Sequence, residues 1–315
     1  MRRLATFLFA VMFSCQILAQ TTASSEPLVL ALNWKPEPQF GGFYAAQVQG
    51  YYADNGLDVT IIEGGSGTPT IQMLLAGRVD YALVSADEVI IALARGGGDI
   101  VALFATYQTN PQGIMTHAER GFESIDEVLH SEGVLLWQSG LPYAQYFKKQ
   151  YSPFKVVTAP YLGGIGNFQN DPKVSQQCFV TSEPLTAAAA GIEVKTFLVA
   201  DSGYNPYTAV LVTQRQRWEK SPDEVKAMVA AVRSGWDAYL QDPTATNKAM
   251  LALNRAMSAD TFARSADAQR ALIKTPDTEK VGEMTQARWQ TLADQLLQIK
   301  VVRQPVPVEN VFVDL

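Results

Sequence analysis

Residues 28–46 read LVLALNWKPEPQFGGFYAA, running from Leu28 through Asn33-Trp34 and Gln39-Phe40-Gly41-Gly42 to Ala46. The first half is a β-rich apolar run and the second half is helical, with two prolines stiffening the join and two glycines allowing backbone to come close to another group. This is the start of a βαβ unit, and the pattern repeats downstream. Strands are expected at 57–62, 79–84 and 100–105, with helices at 42–52, 68–76 and 87–95 that end at Gly56, Gly77 and Gly96, where left-handed C-caps belong. A second set follows, with strands at 134–138, 155–159, 178–181 and 195–199 and helices at 124–129, 142–150 and 185–191. The run 201–206 then breaks the pattern, a strand at 209–213 resumes it, and the remainder is helical, with Val225, Met228, Val229, Val232 and Trp236 on one stripe behind an N-terminus at Ser221-Pro222. The chain therefore reads as an α/β protein of two open lobes. One lobe is built from 28–108 and re-entered by 206–315, the other from 109–205, and the C-terminal helices are expected to pack on the first.

The ends and the composition narrow the class. Arg2-Arg3, the apolar run 4–13 and small residues at Ser14, Ala19 and Ala23 make residues 1–19 a signal peptide, with cleavage after Ala19; Cys15 leaves a lipid-anchored form as the alternative. The expected location is the periplasm. Removing the leader takes Arg2 and Arg3 but no acid from 25 basic and 31 acidic residues, giving the mature chain a net charge of −8. Such a chain does not seek nucleic acid or anionic membrane. Cys178 would be the one cysteine left, so no internal disulfide is expected, and His117 and His130 lack metal-ligand spacing. No GxSxG elbow, HExxH or Cys-His pairing is present, and neither a cofactor nor an enzymatic activity is expected.

In open α/β sheets ligands lie beyond the carboxyl ends of the strands, which selects the candidate site. Trp34, Phe40, Tyr44 and, from the second lobe, Trp137 are candidates to stack on a flat ligand, with Gln39 reading a polar edge. Ser66 and Thr68 belong to a Gly-Ser-Gly-Thr turn, with Thr68 as N-cap and Pro69 at N1 of the next helix, a terminus able to attract an anionic head. Ser85 and Asp87 end the third strand, Asp87 with the alternative role of a helix cap, while Ser139, Glu183 and Tyr204 face them from the later segments. The aromatics favour a planar, partly apolar ligand and the glycine turn favours an anion.

Three stretches, NWKPEPQFGGFYAA (33–46), YADNGLDV (52–59) and AGRVDY (76–81), together with Glu183-Pro184 and 204–212, resemble the NMT1/THI5-like solute-binding proteins, relatives of the binding components of thiamin-precursor, aliphatic-sulfonate and nitrate ABC transporters. The resemblance implies a type II periplasmic-binding-protein fold, a monomer that closes on a small molecule, and partners in a membrane permease and its ATPase. A pyrimidine or other heterocycle is the ligand it implies first, an aliphatic sulfonate or other small anion second. A sensory subunit would use the same cleft. Pyrimidine-synthesising members carry a histidine in the first loop, where this chain has Gln39-Phe40, and a Cys-rich motif it lacks.

Overall fold

In a computed structural model of the chain, which describes residues 27–96 and 99–315, two five-stranded sheets face each other. The leader and Cys15 lie outside the described residues. The first sheet draws on β1 (Leu28–Ala31), α1 (Gly41–Val48), α2 (Tyr51–Asp54), β2 (Val59–Ile62), α3 (Thr70–Leu75), β3 (Tyr81–Val84), α4 (Ala86–Ala94) and β4 (Ile100–Tyr107). The second contains β5 (Gln112–His117), α5 (Ile125–Leu129), β6 (Val134–Trp137), α6 (Pro142–Tyr151), β7 (Val157–Pro160), α7 (Gly166–Asn170), β8 (Val174–Phe179), α8 (Glu183–Ala189) and β9 (Val194–Leu198). The chain then returns through β10 (Thr208–Gln214) and finishes in α9 (Arg215–Lys220), α10 (Pro222–Gln241), α11 (Thr244–Leu253), α12 (Ala259–Ala268), α13 (Arg270–Ile273) and α14 (Gln286–Gln298).

The strand orders are β2-β1-β3-β10-β4 and β7-β6-β8-β5-β9. In each sheet the fourth position is filled by the strand that has just crossed from the other lobe, and it runs antiparallel to both neighbours: β10 to β3 and β4, β5 to β8 and β9. This is the type II periplasmic-binding-protein fold. The crossings each carry an Asn-Pro pair, and they are tied together. Asn110 N–H donates to Asn205 Oδ1 at 2.8 Å, and Asn110 Nδ2 donates to the Pro206 carbonyl at 3.2 Å.

Gly56, Gly77 and Gly96 have φ of +73°, +66° and +63°, the left-handed conformation their C-cap positions require. Two expectations need correction. Strand β5 has no counterpart in the sequence reading, because Gln112, Gly113 and His117 interrupt its apolar pattern. Strand β8 begins at Val174 rather than Cys178, because Ser175, Gln176 and Gln177 hide it. All six residues of β5, and Ser175 to Gln177, are buried. The polar ones are tolerated there because most find partners: Ser175 Oγ accepts from Arg120, Gln176 donates to the Gly164 carbonyl, and Gln177 bonds Tyr143 and Gln138.

The helical tail packs on the first lobe as its stripe predicts, with Val225, Met228, Val229, Val232 and Trp236 buried. Contact between α1 and α10 is backbone-close. A Cβ on Gly42 would sit 2.1 Å from Trp236 Cγ, and one on Gly235 would sit 2.2 Å from the Gly42 carbonyl oxygen. The group that the Gly41-Gly42 pair lets approach is therefore helix α10. Among the described residues no helix is long and apolar enough to cross a membrane.

Candidate functional site

A cavity of about 340 Å³ opens between the sheets, walled by strand ends of both lobes and by the two crossings. From the first lobe come Trp34, Gln39, Phe40, Thr68, Ser85 and Asp87; Glu183 and Tyr204 complete the expected residues that the structure brings together there. The loop after β1 is held in place from below, since Gly64 N–H donates to the Trp34 carbonyl at 3.0 Å, and a Cβ on Gly64 would collide with the Leu32 carbonyl at 2.2 Å.

The remaining four expected residues sit elsewhere. Trp137 is buried in the second lobe's core, edge-on to Tyr143 and Phe154, because the last residue of β6 points away from the cleft and its neighbour Gln138 points in. Tyr44 is one turn beyond Phe40 and packs into the first lobe's core. Ser66 and Ser139 are exposed and do not line the cavity. Thr68 reaches it but does not cap α3: its Oγ1 turns back to accept from Gly65 N–H at 2.8 Å, and Pro69 occupies the cap position.

The local structure that presents Asp87 starts at the helix terminus. Glu88 Oε2 accepts from Ser85 N–H at 2.8 Å and from the Ser85 hydroxyl at 2.9 Å, which fixes the first turn of α4. Asp87 Oδ1 accepts from Glu88 N–H at 3.0 Å and from Ser85, and Oδ2 accepts from the Tyr204 hydroxyl at 3.2 Å. Asp87 is 7% exposed, and burial pushes its carboxyl up despite these donors. Glu183, at the start of α8, takes the Tyr161 hydroxyl on Oε1 at 2.7 Å and Phe179 N–H on Oε2 at 2.8 Å; burial raises it also.

Glu37 was quoted in the first loop without a role, yet its carboxyl lines the cavity. Burial first, and then the charge of Glu183 from the other lobe, push it up to about 7, against the opposing effects of Trp34 Nε1–H at 3.3 Å, of Lys35 and of the Ser182 hydroxyl from the other lobe. Asn33, Tyr107, Asn110, Gln112 and Gln177 also line the cavity. Asn110 and Gln112 could have been found from the Asn110-Pro111 pair, the counterpart of Asn205-Pro206; Gln177 carried no signal.

The charge balance is one-sided. Glu37, Asp87, Glu88 and Glu183 line the cavity, and among the described residues no Lys, Arg or His does. Glu88 is exposed as a residue, yet its carboxyl is drawn against Ser85 and is raised by burial like the other three. No group of three or more His, Cys, Asp or Glu among the described residues is placed to hold a metal ion.

Two α/β lobes joined by two crossings, with a polar and aromatic cavity between them, make the periplasmic-binding-protein fold. Residues 37–129 and 173–246 match the NMT1/THI5 like family, and the chain belongs to it. It is 22% identical over 253 residues to a formylaminopyrimidine-binding protein of Halalkalibacterium halodurans, covering 76% of each chain. It is 24% identical over 178 residues to the 4-amino-5-hydroxymethyl-2-methylpyrimidine phosphate synthase THI11 of Saccharomyces cerevisiae, covering 56% of this chain and 44% of that one. Among solved structures, the periplasmic aliphatic sulphonate binding protein SsuA of Escherichia coli superposes with a TM-score of 0.71 at 13% identity, over 93% of this chain and 94% of that one.

Proposed function

We propose that this chain is the extracytoplasmic receptor of an ABC importer and captures an aminopyrimidine or closely similar nitrogen heterocycle between lobe 28–108 with 206–315 and lobe 109–205, after residues 1–19 are removed as a leader. The observation that carries the reading is the lining: an aromatic face at half-buried Trp34 beside carboxylates at Asp87 and Glu183, with no basic side chain among the described residues. A flat ring stacks on such a face, and an exocyclic amine donates to a carboxylate while ring nitrogens meet Asn33 or Gln39. An alkanesulfonate would have to bring a further negative charge among carboxylates, with no counter-charge from the lining, at a cost that the low local dielectric enlarges. The relative named for formylaminopyrimidine binding supports the ring.

Closure would follow from contacts made to both lobes at once, which favour the closed state over the open one. Native mass spectrometry of protein taken from its own periplasm, with a melting-shift panel of 4-amino-5-hydroxymethyl-2-methylpyrimidine and MOPS, tests the reading. A retained or stabilising pyrimidine supports it; a retained sulfonate overturns it. Because several relatives are named as synthases, the same protein is assayed for formation of the pyrimidine phosphate, and turnover would replace capture with catalysis.

A further inference from the structure

We infer that the ligand is held as a cation between Glu37 and Glu183, carboxylates that the two lobes contribute to one cavity, so that positive charge in the cleft is what permits it to close. The inference rests on the capture reading and adds the charge of the solute. Its first support is geometric. Glu37 lies in the loop after β1, Glu183 in the first turn of α8, and both line the same cavity, so closing the lobes brings like charges together.

The second support is independent of charge. Gln39, 8% exposed as a residue, lines the cavity and its side chain makes no hydrogen bond within the described residues, so its amide is free to meet a polar occupant.

Among the described residues, the groups that line the cavity with Glu37 supply no neutralising charge from another element, although the Ser182 hydroxyl before α8 favours its ionised form. Lys35 is on its own loop and exposed; Glu183 comes from α8, Tyr107 from β4, Asp87 and Glu88 from α4, Tyr161 from the segment after β7 and Cys178 from β8. Repulsion can therefore be relieved in two ways, by a proton or by a cationic ligand. They differ in sign. With Glu37 pushed up to about 7, a permanent cation must displace its proton in mildly acid solution, so its affinity rises with pH and a proton is released on binding. A neutral ring that accepts from protonated Glu37 binds less well as pH rises.

Isothermal titration calorimetry of the mature protein separates these. The probes are the N1-methyl quaternary salt of 4-amino-5-hydroxymethyl-2-methylpyrimidine, the neutral 5-hydroxymethyl-2-methylpyrimidin-4-one, and MOPS. We expect the Kd of the quaternary salt to fall about tenfold between about pH 6 and pH 8, with proton release at the lower pH. At the higher pH the neutral ring should bind about tenfold more weakly than the salt, and Glu37→Gln should erase that difference. A neutral ring that equals or exceeds the salt at pH 8, or any saturable binding of MOPS, overturns the cation inference while a bound ring leaves the heterocycle reading standing. If neither ring binds, the heterocycle reading falls, and agmatine and spermidine enter the same pH comparison: the expected sign from either sustains the cation, and silence from both overturns it. The wild-type pH series decides the question even if Glu37→Gln fails to fold.

Discussion

Replacing Glu37 by Gln should make the ligand-free protein more stable at neutral and alkaline pH, the reverse of the usual result of altering a partly buried polar residue. The carboxyl is raised from 4.5 to about 7, chiefly by burial and by Glu183. A folded-state value above the unfolded one means that the group's favourable contribution is complete below about pH 4.5 and is lost as pH rises through about 7, because the unfolded chain ionises freely while the folded one resists. The interval of about 2.5 units corresponds to about 3.4 kcal/mol at about 1.36 kcal/mol per unit. Solvent reaching a half-open cleft screens part of this, and about 1.5 kcal/mol is a reasonable figure at about pH 8. For a chain of this size that is a rise in Tm of about 3–5 °C. Gln keeps an oxygen for the Trp34 Nε1–H donor, so the substitution removes charge without removing the bond. Melting followed by circular dichroism at about pH 8 and pH 5 is the assay, and most of the advantage should have gone at the lower pH. A variant that is less stable at pH 8, or equally shifted at both, would refute the electrostatic account of the cleft.

Three further outcomes follow from the packing. Arg217 joins Asp80 and, at 2.8 and 2.9 Å, both oxygens of Glu224, whose Oε1 also accepts from Tyr81; Arg217→Met should cost about 2 kcal/mol in urea denaturation, discounted for partial exposure, by leaving the two carboxylates facing each other. Gly235→Ala places its Cβ 2.2 Å from the Gly42 carbonyl oxygen, so the α1–α10 contact must separate, and a loss of at least about 2 kcal/mol with unchanged ligand affinity in the folded fraction is expected by melting and calorimetry. Trp34→Ala should weaken ligand binding about tenfold with little change in Tm, whereas Trp137→Ala should lower stability by about 3 kcal/mol and leave the affinity of folded protein intact.

The contrast between the two tryptophans shows how far a sequence reading reaches. Strand ends could be located from apolar runs and from glycines whose helices need a left-handed stop, so the regions around Trp34, Ser85 and Glu183 were found. Which side chain at a strand end enters the cleft depends on the last residue's orientation, and a shift of one position exchanges core for cavity. Trp137 and Gln138 are such a pair, and an aromatic residue beside a glutamine invites the wrong choice. Tyr44 fails for the helical version of the same reason. Strand β5 was hidden because a central strand can carry glutamine, glycine and histidine when its fixed partners satisfy them: His117 Nε2 lies 2.8 Å from the Phe168 carbonyl and its ring stacks on Phe168 at 4.1 Å. Those partners are distant in sequence. The duplicated Asn-Pro pairs were legible in principle, since a strand expected at 209–213 on one return implies its symmetric counterpart on the other.

The charge of the cleft is only half legible, since Asp87 and Glu183 are expected at the site while Glu37 and Glu88 are not, and its origin lies in how the scaffold's helix ends are used. Parallel strands followed by helices aim helix N-termini at the cleft, and an open N-terminus favours an anion. Here those ends are already occupied from within the chain. Asp87 takes the Glu88 amide, Glu88 takes the Ser85 amide, and Glu183 stands in the first turn of α8 with its oxygens on Tyr161 and Phe179. Each carboxylate puts an acidic group at or beside a helix start, where a sulfonate or phosphate would otherwise sit. On the cation inference, a scaffold whose geometry suits anions is turned to the opposite polarity by residues three to six positions beyond the strand ends.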